Sequence, residues 1–123
     1  MVYTSERMVY VREKDVERHL RDKVKAAGGR AYKFVSPGND GVPDRIVVLP
    51  GGQVYFVELK APGKNPTQQQ ELQIGRLLDL GCNVHVIDCK EKVDAFLARM
   101  GGDGIHRVIT DTALGLFLAM GLG

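Results

Sequence analysis

The stretch "GVPDRIVVLPGGQVYFVELKAPG", Gly41 to Gly63, holds two apolar runs with Asp44, Glu58 and Lys60 set at their ends. Arg45 to Leu49 is a short β-branched run, "PGG" is a turn and Gln53 to Lys60 is a second strand, so the pair reads as a hairpin. Side chains alternate along a strand, which puts Val54, Phe56, Glu58 and Lys60 on one face and Tyr55, Val57 and Leu59 on the other. A hairpin turning at Pro50 to Gly52 pairs the start of the first strand with the end of the second. Asp44 then comes near Glu58 and Lys60. Carboxylates placed at the edge of the most hydrophobic segment need compensation, because burying one without a partner is costly. Two acids, the Leu59 carbonyl and an ammonium converge here, and hard oxygen ligands with room for water suit Mg²⁺, which lets neighbouring acids stay ionised.

Working outward, the expected order is α, β, β, β, α, β, α, α. From Glu13 to Ala27 the residues Val16, Leu20, Val24 and Ala27 recur at helical spacing, and "AAGG" supplies the glycines expected past a helix end. Arg30 to Val35 alternates like a half-buried strand, and "SPGNDGVP" is a loop in which Asp40 is a turn residue. "APGKNP" breaks the hairpin, Thr67 caps a helix running to about Leu80, and Gly81 ends it. "NVHVID" is a further strand, Lys90 to Met100 a helix closed by "GGDG", and Val108 to Leu122 a last helix that is apolar nearly all round. The fold class is α/β: a mixed sheet with a central hairpin, flanked by helices.

At 123 residues the chain is the size of one domain, with its core over about 13–100, and 44% hydrophobic against 26% charged residues is a globular composition, not a disordered one. The net charge is only +2, but nine of the 17 Lys and Arg fall in residues 1–35, against five of the 15 acids. Such an end suits a polyanion, with Arg7, Arg12, Lys14, Arg18, Arg21 and Lys25 as backbone contacts, and it equally suits a solvated helix face. Cys82 and Cys89 lie at the two ends of one strand, roughly 23 Å apart at ~3.3 Å per residue, too far for a disulfide. They read as reduced thiols, and three scattered histidines make no zinc site. The N-terminus lacks a signal-peptide core and Thr112 to Gly123 is too short to span a bilayer, so a cytoplasmic protein is expected.

The three charged residues fit the pattern PD…ExK, and "GVPDRIVVLPGGQVYFVELKAPGKNPTQQQELQIGRLLDLGCNVHVI" resembles the VRR-NUC family of the PD-(D/E)xK nuclease superfamily. Together with the first helix the resemblance covers Val16 to about Met100. It implies a restriction-endonuclease-like core and Mg²⁺- or Mn²⁺-dependent hydrolysis of DNA phosphodiesters. Asp44, Glu58, the Leu59 carbonyl and Glu17 would be metal ligands, with Lys60 and Gln70 as further catalytic groups. Glu17 points within about 20° of Val24 at ~100° per residue, which also suits a snorkelling acid. Gln70 lies three residues after Thr67, the spacing of a capping box, while its neighbours Ile74 and Leu77 turn it inward.

Stand-alone members of the family, often from phages, resemble Holliday junction resolvases that act as homodimers. A two-fold junction calls for two sites related by two-fold symmetry. The tail "ALGLFLAMGLG" suits a segment packed against a partner or within its own domain, and it lies outside the resemblance. The competing readings are an endonuclease for flaps, nicks or plain duplex, a non-catalytic DNA-binding module, and a metal-stabilised structural domain.

Overall fold

A computed structural model describes residues 11–102. The elements are α1 (Glu13–Ala26), β1 (Arg30–Lys33), β2 (Arg45–Leu49), β3 (Gln53–Leu59), α2 (Gln68–Asp79), β4 (Val84–Ile87) and α3 (Lys90–Leu97), which runs into a π-helical turn, Ala98–Gly102. The strands form one mixed sheet in the order β1-β2-β3-β4. β1 and β3 lie antiparallel to β2, and β4 lies parallel to β3 after the α2 crossover. The α/β class, the central hairpin and its flanking helices match the sequence reading. The helix expected to run to Met100 ends its α-form at Leu97, where the two glycines of "ARMGG" weaken helical order. The helix expected over 108–122, the possible dimer element, lies outside the described residues, as does Arg7.

The core lies between one face of the sheet and two helices. Val16, Leu20 and Val24 of α1 are fully buried at helical spacing. They meet Val47 and Leu49 of β2, Tyr55, Val57 and Leu59 of β3, Ile87 of β4, and Val93 and Phe96 of α3. This single cluster uses alternate strand residues, so the intervening ones turn to the opposite face, where Tyr32, Val54 and Val86 are exposed. Tyr55, His85 and Phe96 stack at centroid separations of 4.9 to 5.9 Å. Burial lowers the pKa of His85, so the ring stays neutral in this stack.

The hairpin register is set by a tight turn in which Gly51 and Gly52 both adopt positive φ, a conformation that side-chain-bearing residues disfavour. Leu49 pairs with Gln53 and Arg45 with Val57, which carries Asp44 opposite Glu58. Across the other edge of β2, the Phe34 amide donates to the Asp44 carbonyl at 2.7 Å, so Asp44 is held between two neighbours. α2 buries only Gln73 and packs chiefly against β4. Its first turn is tied to the loop before Asp44: Gln69 Nε2 donates to the Asp40 carbonyl at 3.1 Å, and a Cβ on Gly41 would come within 2.7 Å of the Gln69 carbonyl. No helix among the described residues is long and apolar enough to cross a membrane.

Candidate active site

Asp44 sits at the entry to β2 and Glu58 near the exit of β3, facing each other because antiparallel register leaves no other choice. Asp44 Oδ2 accepts the Leu59 amide at 2.9 Å. Its Oδ1 makes no hydrogen bond among the described residues. Glu58 is 1% exposed; Lys60 Nζ stands 3.7 Å from its Oε2, and its Oε1 is buried with no partner among the described residues. That arrangement is expensive for an ionised acid. Burial first, then the nearby Asp44 charge, push the Glu58 carboxyl up to about 7, while Lys60 pulls the other way and Glu13 adds to the upward push.

A cavity of about 440 Å³ opens beside this pair, lined by Glu13, Lys14 and Glu17 of α1, Lys33, Phe34 and Val35 at the end of β1, and Asp44, Arg45 and Leu59. Asp44 and Leu59 both line it, and Glu58 precedes Leu59 on the strand. Glu17 lies in the cavity wall, but its Oε2 is paired with the Arg45 guanidinium, whose other terminal nitrogen donates to the Ala31 carbonyl at 3.1 Å. Arg45 is 8% exposed, so this acid and this cation satisfy each other at the rim of the core.

Glu13 was not among the residues expected from sequence. It lies one helical turn before Glu17, lines the same cavity and is felt by Glu58 as a like charge. The signal was present: Glu13 precedes Leu20 by seven residues, which at ~100° per residue puts it within about 20° of the middle of the Val16, Leu20 and Val24 stripe, nearer than Glu17. Lys33 was also missed. The strand expected to be half-buried over 30–35 spans Arg30–Lys33 and is mostly exposed, and the packing of β1 beside α1 brings Lys33 to the cavity.

Gln70 is engaged at the start of α2. Its amide donates to Thr67 Oγ1 at 3.2 Å, and its Oε1 accepts the Thr67 amide at 2.8 Å. The capping box anticipated from the spacing is therefore formed. The basic residues of α1 divide. Arg12 pairs with Asp15, Lys14 lines the carboxylate cavity, Arg18 lies beside His19 and Asp22, and Arg21 and Lys25 line a separate cavity at the other end of the helix. Cys82 and Cys89 are both free thiols.

Among the described residues no group of three or more His, Cys, Asp or Glu is gathered closely enough to hold a metal ion. What is gathered is smaller: two facing carboxylates, one with an orphaned buried oxygen, beside a cavity that Leu59 also lines. Mg²⁺ keeps several waters and is commonly held by one or two carboxylates, so this donor set fits such an ion.

No family model matches the chain. A curated protein, "Putative nuclease p44" of Acyrthosiphon pisum secondary endosymbiont phage 1, is 51% identical over 84 residues, covering 68% of this chain and 90% of that protein. A solved structure described as a VRR_NUC domain superposes with a TM-score of 0.66 at 31% identity, over 70% of this chain and 94% of the other. With the same mixed sheet and flanking helices, and with a close relative matched along nearly its whole length, the chain belongs to the VRR-NUC nuclease family.

Proposed function

We propose that this protein is a metal-dependent DNA endonuclease whose active site is the Asp44/Glu58 pair at the open end of the β2–β3 hairpin. The observation that carries the reading is the orphaned Glu58 oxygen: a buried acid facing a second acid, with its nearest cation at 3.7 Å. An unpaired carboxylate costs a few kcal/mol of stability or more, a cost that function explains and packing does not.

Asp44, Glu58 and the Leu59 carbonyl would hold Mg²⁺ or Mn²⁺, which when bound supplies a Lewis acid for the scissile phosphate and a water of lowered pKa. The Leu59 amide orients Asp44 by holding one of its oxygens, leaving the other for the cavity. Lys60, close to Glu58 without full hydrogen-bond contact, places its charge where the attacking water or the developing phosphate charge would lie. Glu13 is the better candidate than Glu17 for the acid on the first helix, because Arg45 already neutralises Glu17. Lys14 and Lys33 flank the cavity and supply positive charge for a phosphate entering it. Gln70 holds the helix end nearest the loop that carries Asp44.

Within this reading a homodimeric resolvase of four-way junctions is the substrate assignment, and cutting of flaps, nicks or plain duplex is the alternative. Incubating the purified protein with labelled junction, flap and linear duplex in Mn²⁺, and mapping the cuts, separates them. Paired symmetrical incisions support the resolvase, and full activity of an Asp44→Ala protein would refute the site.

A further inference from the structure

We propose that the cavity between the C-terminal half of α1 and the start of β1 is a second phosphate site, which holds a backbone phosphodiester of the same nucleic acid that enters the carboxylate cavity. The proposal rests on the nuclease reading above. The cavity measures about 330 Å³ and is lined by Arg21, Lys25, Gly28, Gly29, Arg30 and Ala31, with no acid among them.

The two cavities share one seam. α1 packs beside β1, so that Lys33 at one end of the strand shares the first cavity with Glu13, Lys14 and Glu17, while the backbone at Arg30 and Ala31 at the other end borders the second beside Arg21 and Lys25. Arg45 divides them: it pairs with Glu17, which lines the first cavity, and donates to the carbonyl of Ala31, which lines the second. The seam therefore changes sign along its length, from acids with two flanking lysines to cations alone.

The cations of the second cavity are uncommitted. Arg12, Arg45, Lys60 and Lys92 each have a carboxylate partner, whereas Arg21, Lys25 and Arg30 have no ion pair or hydrogen bond among the described residues. Two unpaired cations one helical turn apart beside a concavity with no acid, one of them a forked guanidinium, match the charge of a phosphate. The bland alternative is that basic residues near a helix C-terminus offset its dipole. It accounts for Lys25, but Arg21 lies a turn further back, Arg30 lies past the helix, and the final carbonyls already accept the amides of Ala27, Gly28 and Gly29.

Spacing argues for a polymer over a mononucleotide. From Glu13 to Arg21 and Lys25 the helix advances roughly 12 to 18 Å, more than the separation of two successive phosphates on a strand. A strand lying along the seam reaches both cavities, and a small phosphate cannot.

The test uses the full chain carrying Arg21→Gln and Lys25→Gln together. These side chains are exposed, and thermal unfolding checks that the fold is kept. Duplex binding is measured in EDTA over a range of salt, and cleavage of DNA is compared with hydrolysis of bis(p-nitrophenyl) phosphate in Mn²⁺, a diester that fills the carboxylate cavity alone. The expected result is a salt slope shallower by about one to two and an affinity lower by roughly tenfold near physiological salt, with DNA turnover falling relative to the small diester. A control protein with Arg76→Gln and Lys90→Gln removes the same charge elsewhere and keeps the slope. An unchanged slope in the first variant, or an equal loss in the control, overturns the proposal. So does inorganic phosphate that binds the wild type and not the variant while duplex binding is the same in both. If the wild type cleaves neither substrate, the nuclease reading fails while the binding measurement still decides this one.

Discussion

Glu17, in the wall of the carboxylate cavity, and Glu58, next to its lining residue Leu59, are two glutamates within reach of a cation, and their fates differ. Glu17 meets Arg45, and Arg45 spends a further donor on the Ala31 carbonyl, so that every charge in that contact is answered. Glu58 is more deeply buried, yet its ammonium stands off at 3.7 Å, a second acid faces it and one oxygen has nothing. A satisfied buried pair fixes the approach of α1 to the sheet; an unsatisfied one stores a demand for positive charge. The contrast separates scaffold from site without reference to conservation.

The sharpest way to break the comparison is Glu58→Gln. If Glu58 is the functional acid, cleavage falls by on the order of 10³-fold while the metal-free protein unfolds at a higher temperature at pH 8, because an uncompensated buried charge has been removed. Assaying nicking and thermal unfolding on one preparation checks both, and a variant that loses activity and stability together would place Glu58 in the scaffold. Next in size is Arg45→Met. It strands Glu17 and the Ala31 carbonyl and should cost about 2–4 kcal/mol by urea denaturation, with adding Glu17→Met recovering part of that.

A third measurement follows the charge itself. Glu58 titrates near 7 in the fold against 4.5 for an unperturbed carboxyl, so the folded state binds this proton more tightly than the unfolded chain does. Stability is then greatest below the lower value and is lost as pH rises toward the upper one, by at most roughly 3 kcal/mol. Chemical denaturation of the metal-free protein at pH 5 and pH 8 reads the loss, and Glu58→Gln should flatten it; a profile rising over this range would contradict the burial argument. The smallest effect concerns Gln70. Thr67→Ala should cost about 1 kcal/mol through the lost cap, whereas Gln70→Glu preserves the reciprocal bond, so any cleavage lost in the second protein reports a role beyond capping.

Much of this arrangement could be read from the chain. The hairpin turn and strand alternation locate Asp44 opposite Glu58, since a three-residue connection admits one register, and the spacing of Thr67 and Gln70 anticipates their mutual bonds. What escaped was the choice between acids on α1. Helical angles bring both Glu13 and Glu17 within about 20° of Val24, and what separates their roles is what arrives from outside the helix. Arg45 comes from a strand 28 residues away in sequence, and no local periodicity announces that its side chain turns inward. The parallel pairing of β4 was likewise not specified by its apolar pattern, which would serve either direction.

The tie between α2 and the loop at Gly41 has a consequence for motion. Because α2 packs so lightly elsewhere, the contact of Gly41 with the Gln69 carbonyl and the bond from Gln69 to Asp40 make its first turn a latch on the segment leading into Asp44. Amide protons at either side of that latch should exchange with solvent at matching rates, and a ligand that pries the turn away should loosen the segment leading into Asp44 without entering the carboxylate cavity.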